Sequence, residues 1–467
     1  MPHDDDTRRT PPFARPWLRS ERPVPRLIVR PIERFLELEA GSAALLMAAA
    51  IVALVWANVS LESYEDLWAS EVAVAVGPLT LDEDLRHVVN DLLMAMFFYV
   101  VALEVKREAL FGSLRDPRSA AVPIAAALGT MVGAAVTYVA LNLGSDALRG
   151  WAIPIATDIA FAVGVLGLVG GRAPRELRAF LLTLAIVDDI GTIAVIAVFY
   201  SEGIALDWLA AGAGLIVAVA VARSVGVRSM VVYIALAAMI WIAAFKSGIH
   251  PTLAGVALGF LTPAVAFHSR ERTGAVLGHR LSELARSTDD EITQATMLHT
   301  AQVAREAVSP LARMEAQLHP WTAYVVLPVF ALANAGVPVS LGGLGDAMTS
   351  PVGLGIALGL VVGAPIGGVL FSWGLVRLGP ARVPDGLDWP AIGALAPLKG
   401  IGFTVAIFIS VLAFEDPARQ DQAKIAILAA STIAALIGLA ALNLRFLLVR
   451  DDSRASREAT TQADPAP

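Results

Sequence analysis

Residues 180–200 read FLLTLAIVDDIGTIAVIAVFY, a segment apolar almost throughout except for two adjacent aspartates near its middle. As a helix rising 1.5 Å per residue it is long enough to cross about 30 Å of hydrocarbon. Segments of this kind recur along the chain, and no other feature restricts the fold as strongly. A hydrophobic fraction of 56% with 16% charged residues, and a mean hydropathy of +0.66, fit a multi-span membrane protein better than any soluble class.

Spanning windows place about twelve helices, near 41–60, 88–108, 120–141, 151–170, 176–200, 207–223, 229–245, 250–266, 320–335, 352–377, 389–413 and 424–447. The fold class expected is therefore an all-α polytopic membrane protein. Basic residues alternate between connections: Lys106, Arg107, Arg115 and Arg118 follow the second helix, and Arg172, Arg175 and Arg178 the fourth. Arg223 and Arg228 follow the sixth, Arg270, Arg272 and Arg280 the eighth, and Arg377 and Arg382 the tenth, whereas the intervening loops are acidic or poor in basic residues. By the positive-inside rule both termini face the cytoplasm.

Four regions flank or interrupt this 39–448 transmembrane domain. Residues 1–38 are rich in Arg and Pro with no apolar core of a cleavable signal, and 449–467 are polar; both read as disordered cytoplasmic tails. The loop 267–319 is long and charged, with a helical pattern around ATMLHTAQVAREAV, and reads either as a cytoplasmic amphipathic segment or as a spacer. Between the first two helices, SEVAVAVGPLTLDEDLR alternates small apolar residues around a Gly-Pro break, the pattern of a short external β-hairpin. The chain has no cysteine, which excludes disulfides and thiolate metal sites.

An aspartate at the centre of a spanning helix costs about 2.5–3.5 kcal/mol on the insertion scale, so Asp188 and Asp189 must face protein or water. Neighbours on a helix point about 100° apart, so one carboxylate can take a pairing role and the other a ligand role. The alternative, that VDDIG is a turn between two short helices, leaves flanking runs too short to span. Two other segments, WAIPIATDIAFAVG and GALAPLKGIGFTVA, put Pro, Gly and polar residues inside a span. Paired interrupted helices in the two halves of a transporter point to a binding site near the midplane. Asp158, beside Thr157, can offset the positive start of a second half-helix, unless it is an N-cap at the membrane surface. Lys399 can offset the carbonyls ending a first half, with Gly400 as its C-cap. A desolvated carboxylate holds its proton more tightly, so near neutral pH a proton and a small hard cation compete for the same oxygens. Such competition at a site open alternately to each side suffices for antiport.

The stretches NDLLMAMFFYVVALEVKRE, WAIPIATDIAFAVGVL, LAIVDDIGTIAVIAVFY, KSGIHPTLAGVALGF, LHPWTAYVVLPVFALANAGV and GIGFT resemble the NhaA family of bacterial sodium/proton antiporters. The resemblance covers nearly all of 35–447. It implies an inverted-repeat fold with discontinuous fourth and eleventh helices, in the bacterial cytoplasmic membrane, exchanging Na+ or Li+ for H+ and regulating internal pH and sodium, with no cofactor. It also implies that Asp189 is the main ion ligand and proton carrier with Asp188 as partner, that Thr157 and Asp158 line the helix crossing, and that Asp91 lies in the second helix. Glu104, Glu108, Arg313, Glu315 and His319 resemble the family's pH-sensing cluster, or are a helix-end charge array. His250 matches a position linked to pH response, or is only a helix-start residue before Pro251. The hairpin at 71–82 implies a homodimer.

Two positions depart from the family. Ala364 stands where a lysine is usual in the tenth helix, and Ala316 where a histidine is common. A buried carboxylate without a cationic partner holds its proton, and Lys399 is the nearby cation in the sequence that can replace the missing lysine. Other functions fit less well. An intramembrane aspartyl protease needs one aspartate on each of two helices, and a prenyl-transferring enzyme needs an aspartate pair repeated three residues on. A passive cation channel has no need of matched interrupted helices.

Overall fold

A computed structural model describes residues 39–462 apart from 77–78, 171–172, 202, 228–229, 267–268, 285–289 and 380. The expected tail at 1–38 and the last residues of the expected tail at 449–467 lie outside the described residues. The chain opens with α1 (Glu39–Val59), α2 (Leu61–Trp68) and strands β1 (Glu71–Val76) and β2 (Leu79–Asp84). Next come α3 (Leu85–Phe111) and α4 (Pro117–Asn142). A 3-10 stretch, Asp146–Ile155, leads into α5 (Ile159–Leu168), followed by α6 (Arg175–Phe199), α7 (Leu206–Ser224), α8 (Met230–Lys246) and α9 (Thr252–Leu261). Then α10 (Arg270–Leu284), α11 (Asp290–Glu306), α12 (Pro310–Trp321), α13 (Leu327–Asn334) and α14 (Leu341–Thr349) precede α15 (Pro351–Leu378). The last elements are α16 (Trp389–Leu395), which continues as a 3-10 turn through Gly400, then α17 (Phe403–Ala413) and α18 (Pro417–Gln462).

Among the described residues 7 helices are long and apolar enough to cross a membrane, or up to 9 if each of two bent pairs is one span. The bent pairs are Asp146–Ile155 with α5, at 46°, and Trp389–Gly400 with α17, at 44°. Each first half contains a proline near its end, Pro154 and Pro397, inside 3-10 backbone. Proline there withholds an N–H and ends regular helix. Several helices start with the same local signal, a capping side chain followed by proline. Asp116, Ser309, Ser350 and Asp388 accept from Arg118, Ala312, Gly353 and Ala391 N–H respectively, with Pro117, Pro310, Pro351 and Pro390 in the first turn.

Two helix boundaries differ from those expected. Within 267–319, α11 covers the expected helical pattern, with α10 before it and α12 after it, and α12 runs through a π turn at Thr322–Val326 into α13. Ser309 and Pro310 start that helix ten residues before the apolar pattern does. The final helix passes the expected end at 448 and continues to Gln462. The hairpin pairs antiparallel from Glu71↔Asp84 to Val76↔Leu79.

Glycines let the central helices touch. A Cβ at Gly367 would lie 2.1 Å from Gly129 O, and one at Gly133 2.2 Å from Gly363 O, so α4 and α15 cross backbone to backbone through paired small-xxx-small motifs. α9 meets α3 in the same way, with Gly255 against Ala95 O. The α4–α15 contact buries Ala364 and Thr130, and Thr130 reaches Asp188 in the middle of α6.

Candidate functional site

The backbone is extended at Ala156 and Asp158, after the first half of one bent pair, and at Ile401 in the other. These two breaks cross. Asp158 N–H donates to Ile401 O at 2.6 Å, and Thr157 Oγ1 donates to Lys399 O at 3.2 Å. Gly400 makes the approach possible: its Cβ would sit 2.4 Å from Leu360 O on α15. It does not serve as the expected left-handed C-cap, because its φ is not positive and Ile401 follows the turn.

Asp158 is an N-cap, but a buried one at the crossing rather than one at a membrane surface. It caps two helices at once. Oδ1 accepts Phe161 N–H of α5 at 3.0 Å, while Oδ2 accepts Thr404 N–H of α17 at 3.1 Å and the Thr404 hydroxyl at 2.6 Å. One carboxylate thereby holds the starts of both second halves, where unsatisfied N–H groups concentrate positive charge.

The aspartate pair sits beside this crossing on α6. Asp188 is 0% and Asp189 5% exposed. Lys399 Nζ forms a buried ion pair with Asp188 Oδ2, so the lysine reaches across to α6 instead of lying over the carbonyls that end its own half-helix. Two hydroxyls lie against Asp188: the Thr157 proton is shared between Lys399 O and Oδ2, each at 3.2 Å, and Thr130 Oγ1, which donates to Ala127 O at 2.7 Å, stands 3.3 Å from Oδ1. Asp189, one residue on, makes no hydrogen bond or ion pair with the described residues. Ala364, where the sequence lacks a lysine, is buried on α15. Among the described residues no group of three His, Asp or Glu side chains is arranged to hold a metal ion.

A second set of charges gathers at the end of α3. Arg107 pairs with Glu315 of α12 and lies 3.5 Å from Glu108, while Glu104 Oε1 is 3.8 Å from His319 Nε2. Glu108 also accepts Ser113 N–H and hydroxyl at 2.9 and 3.1 Å, and the Ser113 hydroxyl meets Thr183 on α6 at 2.7 Å. Glu315 and His319 are four apart and share a helix face, whereas Arg313 is set about 200° around from Glu315. Arg313 accordingly makes no ion pair with these residues. His250 lies apart, about 20 Å along α3: its Nε2 is 3.7 Å from Asp91 Oδ1, its Nδ1 is 2.8 Å from Thr252 Oγ1, and its ring stands edge-on to Phe408.

The profile of the family described as Na+/H+ antiporter 1 matches residues 33–442. The chain belongs to that family. A protein of Rhodopirellula baltica named Na(+)/H(+) antiporter NhaA is 45% identical over 414 residues, which cover 88% of this chain and 93% of that protein. One of Myxococcus xanthus, named Na(+)/H(+) antiporter NhaA 2, is 45% identical over 421 residues and covers 89% of each. One of Oleidesulfovibrio alaskensis, named Na(+)/H(+) antiporter NhaA, is 43% identical over 424 residues, 89% of this chain and 94% of that one.

Within this antiporter sequence, three residues of the site were not legible from the motifs. Thr130 and Thr404 are single hydroxyls in apolar or small-residue stretches. Thr404 stands in GIGFT, whose place beside a helix break is a usable signal; Thr130 stands within LGTMVG, where the flanking glycines mark a close helix contact. Arg107 read as one of several loop cations, yet it joins α3 to α12.

Proposed function

We propose that this chain exchanges Na+ or Li+ for H+ across a bacterial cytoplasmic membrane by alternating access, and so regulates internal pH and sodium. The observation that carries the reading is a buried carboxylate, Asp189, with no partner among the described residues, one residue from a paired one and beside the crossing of two broken helices. Asp189 is the group that gives up a proton when it takes a cation. Asp188, Thr157 and Asp158 shape the site, and Lys399 supplies the charge that Ala364 does not.

With α8, α9 and α13 counted as spans the total is about twelve, and the alternation of basic loops sets both termini in the cytoplasm. The bent pairs then act as discontinuous spans of an inverted repeat. The cytoplasmic set Glu104, Glu108, Glu315 and His319, tied together by Arg107, is the region that reports pH to α6 through Ser113 and Thr183. The hairpin at 71–82 joins two copies into a homodimer. The chain needs no cofactor beyond the ions it carries.

Sodium-driven proton flux in proteoliposomes tests the reading. Wild-type protein should move sodium against its gradient when given a proton gradient, and Asp189→Asn should abolish this. A protein that dissipates sodium gradients but never builds one would be a channel.

A further inference from the structure

We infer that Thr192 is a further ligand of the cation taken up at Asp189, supplying a neutral oxygen beside the carboxylate. The inference deepens the antiport reading above and rests on it.

Thr192 is on α6, three residues after Asp189 and four after Asp188. At 100° per residue its side chain leaves the helix about 40° around from Asp188 and about 60° from Asp189, on the arc between them. Helical side chains lean toward the N-terminus of their helix. Thr192, roughly 4.5–6 Å further along the axis, therefore leans back over the turn that carries the two carboxylates. It belongs to the inward stripe of Leu181, Ala185, Asp188, Thr192 and Ile196, none of them more than 1% exposed.

The hydroxyl of Thr192 has nothing to bond. A helical threonine ordinarily returns its proton to a carbonyl three or four residues back, and this chain follows that habit. Thr130 donates to Ala127 O and Thr137 to Gly133 O, both at 2.7 Å, and Thr183 donates to Ala179 O at 2.9 Å. Thr192 Oγ1 is closed to solvent and makes no hydrogen bond, the only buried hydroxyl so placed among the described residues. Burying a hydroxyl unsatisfied is unfavourable, and such an atom points to a partner that binds there.

A cation is the partner that fits. A hard monovalent ion that sheds its water needs oxygens in place of its hydration shell, and Asp189 offers two at most. The neighbouring oxygens are engaged: those of Asp158 take the starts of α5 and α17, Lys399 lies on Asp188, and the Thr130 and Thr157 hydroxyls are turned to carbonyls. Thr192 is left with its lone pairs free. A hydroxyl rotates to suit its partner, so it can face a cation without adding charge to the site.

Sodium titrations of thermal unfolding test this on the full-length protein in detergent at alkaline pH, for wild type, Thr192→Val and Thr192→Ser. Valine keeps the shape and removes the oxygen. Without sodium, Thr192→Val should melt at or above the wild-type temperature, because an unsatisfied hydroxyl has gone. The sodium concentration giving half of the stabilisation should rise about tenfold. In proteoliposomes KM for sodium should rise to the same extent with kcat little changed, and Thr192→Ser should restore both. A Thr192→Val protein with wild-type sodium affinity would make the hydroxyl a packing group and overturn the inference while leaving antiport intact. Weakened binding that serine does not restore, with a lowered melting temperature, would mean that the side chain acts through its shape and would overturn it too. If the wild type shows neither sodium stabilisation nor coupled flux, the antiport reading falls, and this inference with it.

Discussion

Asp188 and Asp189 are neighbours in the chain, but their side chains live under opposite conditions: one is enclosed by an ammonium and two hydroxyls, the other has no partner among the described residues. This difference predicts opposite responses to mutation. Asp189→Asn removes a buried acid that nothing satisfies, so it should abolish exchange while leaving thermal stability unchanged or raised; a lowered melting temperature in detergent would contradict that. Lys399→Ala should destabilise the protein by about 3–5 kcal/mol, because it leaves Asp188 buried without its cation. Adding Asp188→Asn should recover most of that loss, and a double-mutant cycle on thermal unfolding measures the coupling. Independent, additive losses would mean that the two side chains do not depend on each other. None of this division was legible in VDDIG itself. The 100° step between neighbours says that the two must differ; the family resemblance casts Asp189 as ligand and Asp188 as partner, and the structure pairs Asp188 with Lys399, 211 residues away.

Helix contacts position these groups, and the tightest is the crossing of α4 and α15. Gly367→Ala would push a methyl onto Gly129 O, separating the helices at a cost of about 1–3 kcal/mol and moving Thr130 away from Asp188. Gly374→Ala on the same helix meets open space and should change neither stability nor exchange; thermal melts and flux assays of both variants check this. At the other end of the bundle, α2 inserts Tyr64, which is fully buried, donates to Leu332 O at 2.9 Å and accepts Gly336 N–H at 3.2 Å. Burial pushes its hydroxyl up from 10.0 to about 12. Because the folded value exceeds the unfolded one, the stabilisation is complete below pH 10 and is lost as pH rises from about 10 to about 12. Tyr64→Phe should flatten the dependence of unfolding on pH in that window, and an unchanged slope would show that another group titrates there. The spans and their breaks were readable from apolar length and from Pro and Gly. The early start of α12 was not, because Ser309-Pro310 is a local cap that precedes the apolar run.

For the molecule as a whole, the β1–β2 hairpin is the part that the helical bundle does not require. A single two-stranded hairpin is marginally stable alone and leaves strand edges unpaired, which a second copy can complete. Replacing residues 71–82 by a short flexible link should convert a dimer to a monomer in size-exclusion light scattering, with coupled flux retained in proteoliposomes. A variant that remains dimeric would move the interface elsewhere.

The sequence by itself determined the class of the protein, the approximate course of its spans, the two interruptions and the presence of acids inside the bilayer. These follow from local chemistry, since apolar length, proline, glycine and charge act on the residues next to them. The tertiary structure decided how the charges are shared: that Asp158 caps two helices, that Lys399 crosses to Asp188, that Arg107 and not Arg313 joins Glu315, and that Asp189 alone is left open. Each of these depends on two distant segments meeting within hydrogen-bond range, and the meeting is set by which glycine faces allow the backbones to touch.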